Sequence, residues 1–309
     1  MTAKEEFKLF CEQNEVDLFT SYWWWTNVIE NNWDVITYKK GNQVLACFPF
    51  HFRKKLGVSA IIPPVLTPYQ GIAIAKQPGA KMDKQISHIR KVQEAIIDQI
   101  PNNSLFIRQF RVNDHYLLPF YWNDYELKVR YTYLLGTEKS ENELFSSLKD
   151  TLRKEINKAK NSLHYSISDD VNNLFLLKQK NHKINSEPIA YNLEYLNKIC
   201  QLIPLQKAQL MEIKEDNTVI AALLVTWDHT QMYYTCGAVD PKYKNSGALS
   251  WLLWEALLKA KKLQVTFNFE GSMIKPIERY FASFGGTPTP FIEARKISTK
   301  VLEPLLKKF

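Results

Sequence analysis

Apolar residues along this chain alternate with polar ones in some stretches and recur at helical spacing in others, with Gly, Pro and Asn between them. The first ~30 residues read as two short helices. Residues 33–38, a turn at 39–42 and residues 43–52 read as a hairpin, with a further strand at 58–62. The run Pro63-Pro64-Val65-Leu66-Thr67-Pro68-Tyr69-Gln70-Gly71 cannot be regular, because proline removes donors and fixes φ. Residues 84–99 have helical periodicity, and 104–109 and 125–135 read as strands. Ser140 followed by Glu143 fits a capping box. The helix it opens places Leu144, Leu148, Leu152, Ile156 and Ala159 on one face. A strand at 163–167 and two helices up to Cys200 follow. Strands at 208–213, 218–227 and 231–239, a helix at 247–261, a strand at 265–269, a helix at 276–284 and a strand at 291–297 complete the order.

The two halves repeat one order: hairpin strands, a helix, a strand, a short helix and a strand. Lys39, Asn42, Val44, Leu45 and Ala46 match Lys214, Asn217, Val219, Ile220 and Ala221 at one constant offset. This predicts an internal duplication with its boundary near Gly136-Thr137, giving halves 1–136 and 137–309. The expected class is α/β, each half a mixed, mostly antiparallel sheet flanked by helices.

Composition sharpens this. The 309 residues are 45% hydrophobic and 13% aromatic, which suits a packed core and excludes disorder. Clusters such as Trp23-Trp24-Trp25 read as packing. The net charge of +8 is spread over both halves, which favours contact with anions without pointing to nucleic acid. Four cysteines without CxxC spacing imply a reducing, cytoplasmic setting. Six histidines in no ligand spacing predict no metal. The N-terminus lacks the apolar core of a signal peptide, and the apolar run 219–227 is too short for a transmembrane segment.

The sharpest local signal runs from Tyr233 to Leu253. A buried strand ends at Asp240-Pro241, and a polar loop then feeds a strongly apolar helix. The free N–H groups of a first helical turn can hold a phosphate when small residues let it approach. Ser246, Gly247 and Ser250 are such residues. An ordinary strand-to-helix connection with a serine cap explains the same pattern.

This run resembles a motif of the GNAT acyltransferase superfamily, in which a Val-x-Pro strand end precedes an Arg-x-x-Gly-x-Gly/Ala loop. Lys244 then stands for the basic residue, Gly247 for the first glycine, and Ala238 and Val239 for the strand end that holds the donor arm. Leu249 falls where the second small residue is expected. Two GNAT-like halves in one chain resemble the FemAB-like branch. The basic helix 152–160, the run Phe267-Asn268-Phe269-Glu270-Gly271-Ser272 and the run Tyr280-Phe281-Ala282-Ser283-Phe284-Gly285-Gly286 resemble further motifs of that branch. The resemblance implies acyl or aminoacyl transfer from a thioester or ester donor to an amine. An acyl-CoA or acyl carrier thioester serves as co-substrate, and no cofactor is bound. It implies that the second half holds the site and that the first is a degenerate copy.

Such transfer needs a polarised carbonyl, a base for the amine and an acid for the leaving group. Glu270 is the candidate base, because it emerges at the end of an apolar strand. A cap or turn role is its alternative. Tyr234 and Tyr280 are candidate acids. Strict spacing to Gly285 puts Phe281 at the family's tyrosine position, and packing is the alternative for both tyrosines. Arg153 and Lys154 on the basic helix, and Tyr69 in the proline-rich loop, are candidates for the acceptor groove between the halves. A solvated helix face and a rigid packing loop explain them equally. Two further functions stay open: a tRNA-dependent aminoacyl transferase, suggested by the basic helix, and a non-catalytic scaffold, suggested by Leu249 and Phe281.

Overall fold

A computed structural model describes residues 1–55, 58–77, 79–185, 189–271 and 273–298. The chain divides into two compact units, Met1–Arg130 with Pro290–Phe309, and Tyr131–Thr289. The Gly136-Thr137 position lies inside the second unit, just past a strand end.

The first unit opens with helix α1 (Ala3–Gln13) and the short turn α2 (Tyr22–Trp24), then β1 (Trp33–Lys40), β2 (Gln43–Lys55), β3 (Val58–Ile61) and β4 (Ala73–Ile74). Helix α3 (Met82–Ile97), β5 (Leu105–Gln109), α4 (Leu118–Trp122) and the first half of β6 (Glu126–Leu135) follow. Strands β1, β2 and β3 are antiparallel neighbours, and β5 runs parallel to β3. Trp24 and Trp25 are fully buried. Their indole N–H groups donate to Thr67 Oγ1 at 3.1 Å and Phe19 O at 3.0 Å, so the tryptophan cluster is packing with satisfied donors.

The second unit contains α5 (Glu141–Ser147), α6 (Asp150–Ser162), β7 (His164–Ser168), α7 (Asn172–Asn185) and α8 (Leu193–Cys200). Next come β8 (Ala208–Glu215), β9 (Thr218–Trp227), β10 (Gln231–Val239), α9 (Ala248–Leu263), β11 (Thr266–Asn268) and α10 (Lys275–Ala282). The last strand, β12 (Thr287–Ile297), pairs through Glu293–Ile297 with β5 of the first unit's sheet. Within the second unit β7, β8, β9 and β10 are antiparallel neighbours, β11 is parallel to β10, and Leu134 and Leu135 of β6 pair with β11. Each unit is thus a mixed, mostly antiparallel sheet flanked by helices.

The two matched hairpins share more than residues. Both ladders slip at the same place, between Tyr38 and Lys39 and between Ile213 and Lys214. Both turns use a left-handed residue, Gly41 and Asp216.

The Ser140–Glu143 capping box forms in both directions, with Ser140 N–H donating to Glu143 Oε2 at 2.8 Å. The single helix expected after it is two. Leu148 takes an extended conformation, and the Lys149 N–H leaves the helix for Ser283 O at 2.9 Å. The apolar stripe runs across the break because both helices bury one face against α9: Leu144, Leu148, Leu152, Ile156 and Ala159 share one core with Trp251, Leu252, Leu253 and Trp254. Burial of each such side chain contributes about 1.5–3 kcal/mol.

Candidate active site

Strands β10 and β11 run parallel for only three paired residues, ending at Tyr233 opposite Asn268. Beyond that they part. Strand β10 continues through Tyr234–Val239 with β9 on one side only. The Asp240 N–H turns toward β9, to Ile220 O at 2.7 Å. The Val239 carbonyl of the same peptide turns the other way, toward the opening, where Asn181 Nδ2 of α7 donates to it at 2.8 Å.

A β-bulge at Thr235 re-aims the side chains here. Tyr234 stands opposite Val225, but Cys236 stands opposite Leu224, so they take opposite faces of the sheet. Tyr234 packs on Phe281 with ring centroids 5.8 Å apart, while Cys236 Sγ lies 3.0 Å from Tyr191 Oη. Lys178 of α7 also hydrogen-bonds the thiol.

Glu270 sits where β11 ends. Its backbone is left-handed, φ 58°, and so is that of Gly271, φ 63°. A Cβ on Gly271 would lie 2.2 Å from Tyr131 O, so only glycine lets the chain pass there. The turn is fixed by Asn268, which is fully buried. Its Oδ1 accepts from the Glu270 N–H at 2.9 Å and from Thr132 Oγ1 at 2.7 Å, and its Nδ2 donates to Gln231 Oε1 at 2.9 Å. Glu270 as a whole is partly exposed, yet its Oε1 is buried and meets no partner among the described residues. Burial holds its carboxyl well above the usual carboxylate range. A non-glycine residue in this conformation carries strain, a feature that concentrates at functional sites. Ser272, the last residue of this motif, lies outside the described residues.

Burial also raises the phenols of Tyr234 and Tyr280; for Tyr234 the neighbours Cys236, Tyr280 and Glu270 add to it. Burial raises the Cys236 thiol, against the opposing influence of Lys178 and Tyr191. The opening therefore collects Glu270, Tyr234, Cys236, Tyr191 and Lys178.

Residues 146–272 match the family model described as acetyltransferase (GNAT) domain. The protein has a GNAT-superfamily, FemAB-like fold. The first solved structure it resembles is FemX, at 13% identity and TM-score 0.71, over 99% of this chain and 98% of that one. L-PGS from Bacillus licheniformis is similar at 11% identity and TM-score 0.57, over 98% and 94%. A tandem GNAT protein from the clavulanic acid biosynthesis pathway is similar at 8% identity and TM-score 0.51, over 95% and 93%. No curated protein matches the chain. The matched GNAT domain makes the protein an acyltransferase, and it spans Glu270, Tyr234 and the loop after β10.

Within this GNAT unit the expected donor loop is engaged in its own packing. Gly247 has φ 78°, and a Cβ there would lie 2.4 Å from the carbonyl oxygen of Glu155, so only glycine lets the loop pass helix α6. Ser250 is buried, its Oγ 3.0 Å from Tyr280 Oη. Ser246 Oγ accepts the Ala248 N–H at 3.2 Å, and Leu249 is half-buried. Lys244 is exposed. Ala238 and Val239 lie on the parting edge of β10, opposite Ala222 and Ala221 of β9. Asp240 caps the Lys242 N–H at 3.0 Å and pairs with Lys180 at 2.7 Å. The hydrogen bond from Lys180 holds its carboxyl below the usual range.

The acceptor candidates fall in separate places. The Arg153 guanidinium donates to Ser146 O at 2.6 Å, Leu148 O at 2.9 Å and Asp150 Oδ1 at 2.7 Å, closing the end of α5. Lys154 is exposed on α6. Tyr69 is buried in the first unit, edge-on to Phe291 at 5.2 Å. Sequence reading missed Cys236, Tyr191, Lys178 and Asn268 as site residues. An asparagine inside an apolar strand one turn before Glu-Gly was the available signal for Asn268.

Proposed function

We propose that the second unit transfers an acyl or aminoacyl group to an amine at the opening between β10 and β11, with Glu270 as the base. The observation that carries this is the Glu270 Oε1 at the mouth of that opening, buried and without a partner among the described residues. A carboxyl held above its usual range is suited to take a proton from an ammonium nucleophile near neutral pH. The Tyr234 phenol, packed on Phe281 on one face of the opening, donates to the leaving group. Tyr280, its hydroxyl engaged with Ser250, packs on the same Phe281 rather than acting on the donor itself.

The donor is a thioester or ester whose reactive end enters the opening along Ala238 and Val239. The side chains of Ser246 and Ser250 are engaged with the Ala248 N–H and the Tyr280 hydroxyl, so they are not free to contact the donor. Lys242 and Lys244 are exposed basic residues of this loop that can meet the donor's charged end. The exposed Lys154 and Lys158 of α6 support a second donor, aminoacyl-tRNA.

The test is a thermal-shift screen with CoA, acyl-CoAs, acyl carrier thioesters and aminoacyl-tRNA, followed by transfer assays with the hits. The expected outcome is a rise in melting temperature with an acyl thioester and a roughly 10²–10⁴-fold loss of transfer in Glu270→Gln. Undiminished transfer in Glu270→Gln refutes the base assignment. Salt-sensitive binding of aminoacyl-tRNA with no thioester response favours the second donor.

A further inference from the structure

Cys236 has no role in the direct transfer proposed above, yet its surroundings are not those of a core cysteine. A structural buried cysteine behaves as a small hydrophobe among apolar neighbours. Here Sγ lies 3.0 Å from Tyr191 Oη, and Lys178 faces it from α7. The register places it further. Tyr233 and Asn268 are the last paired residues of β10 and β11, so Cys236 and Glu270 follow three and two residues beyond the point where the strands part, and the carboxyl acts electrostatically on the thiol. The Oε1 of that carboxyl is buried and has no partner among the described residues. Grouping an ammonium, a phenol and a carboxyl around a thiol costs desolvation that simple packing would not require.

We propose that Cys236 first receives the acyl group, so that transfer proceeds through an acyl-cysteine. The inference rests on the reading of this opening as the transfer site and deepens it. In the first half, the Glu270 carboxylate takes the thiol proton and Sγ attacks the donor carbonyl carbon, forming a C–S bond. The carbonyl oxygen takes the negative charge beside the Lys178 ammonium and the Tyr191 hydroxyl. The donor C–S or C–O bond then breaks, and the departing thiolate or alkoxide takes the proton held on Glu270. In the second half, the amine attacks the acyl-cysteine, Glu270 removes the amine proton, and the C–S bond to Cys236 breaks. The thiolate recovers its proton from Glu270. Nothing is oxidised or reduced.

The test uses p-nitrophenyl acetate on the full chain. Release of p-nitrophenolate is followed with time, and the acetylated peptide is mapped by mass spectrometry. The expected result is a burst of about one equivalent, the fingerprint of a covalent intermediate. The acetyl group is expected on the peptide carrying Cys236, and added primary amine should remove it. Cys236→Ser abolishes burst and adduct while its circular dichroism and melting remain those of the native chain. Glu270→Gln slows adduct formation by roughly 10²-fold. Absence of an adduct on Cys236, or an adduct formed as fast in Glu270→Gln, overturns the proposal. If Cys236→Ser or Cys236→Ala still acylates an amine at the native rate, the acyl-cysteine falls and direct transfer stands. If no thioester supports amine acylation in any variant, the transfer reading itself falls.

Discussion

Two pairs of parallel strands part in this protein, and the two gaps meet opposite fates. In the first unit β3 and β5 separate after Ile61 opposite Phe106. The proline-rich loop then comes down onto β5, its Gln70 N–H donating to Gln109 O at 2.8 Å. The fully buried Arg108 locks it there, donating to Gln70 O at 2.5 Å, Gly71 O at 2.8 Å and Pro49 O at 2.9 Å, with Phe48 stacked 3.7 Å from the guanidinium. In the second unit β10 and β11 separate after Tyr233 opposite Asn268, and a carboxyl oxygen of Glu270 is left without a partner among the described residues. Where the chain fills the gap itself, the buried polar groups that Arg108 meets there are satisfied. Where it does not, one is left over. Tyr69 of the proline-rich loop belongs to the filled gap.

The comparison can be broken most severely at Arg108. In Arg108→Met three buried carbonyls lose their donor, and the chain should lose about 3 kcal/mol or more of stability, read as a lower urea midpoint. A loss under about 1 kcal/mol would show that the loop holds without its clamp. In the open copy the matching lever is Gly271. Gly271→Ala places a Cβ against Tyr131 O in a left-handed backbone. It should cost about 2 kcal/mol and displace Glu270, so that transfer falls with stability. The smallest effect belongs to Ser250→Ala, which removes one hydrogen bond to Tyr280 and should cost about 1 kcal/mol. A larger loss of transfer than of stability there would move Ser250 from packing into the chemistry.

Much of this fold was legible from periodicity. Apolar patterning located β9 and β10 to the residue, and the Ser140–Glu143 capping box formed as its spacing requires. The break between α5 and α6 was not legible, because the apolar stripe continues through it and its cause is distant, at Ser283. At the site Glu270 could be read from an apolar strand ending in Glu-Gly. Cys236, Tyr191 and Lys178 come from three segments, and no local pattern links them. The bulge at Thr235 was invisible as well, since simple alternation would put Tyr234 and Cys236 on one face. The Gly247 loop shows the converse. Its residues resemble a phosphate cradle, but what demands the glycine is the carbonyl of Glu155, far away in sequence, against which no Cβ fits.

The most direct measurement follows the melting of the native chain and Glu270→Gln against pH. The folded state raises the carboxyl's pKa by burial, so between the ordinary carboxylate range and that raised value the folded chain binds more protons than the unfolded one. Stability contributed by this group is therefore full below the ordinary range and is lost as pH rises through the raised value. Glu270→Gln removes that loss. The account predicts that the variant melts higher than the native chain at neutral pH and that the difference closes on acidification. A variant that melts lower at neutral pH, or a difference independent of pH, would mean that Glu270 is solvated or paired and that the opening between β10 and β11 is no different from the filled gap of the first unit.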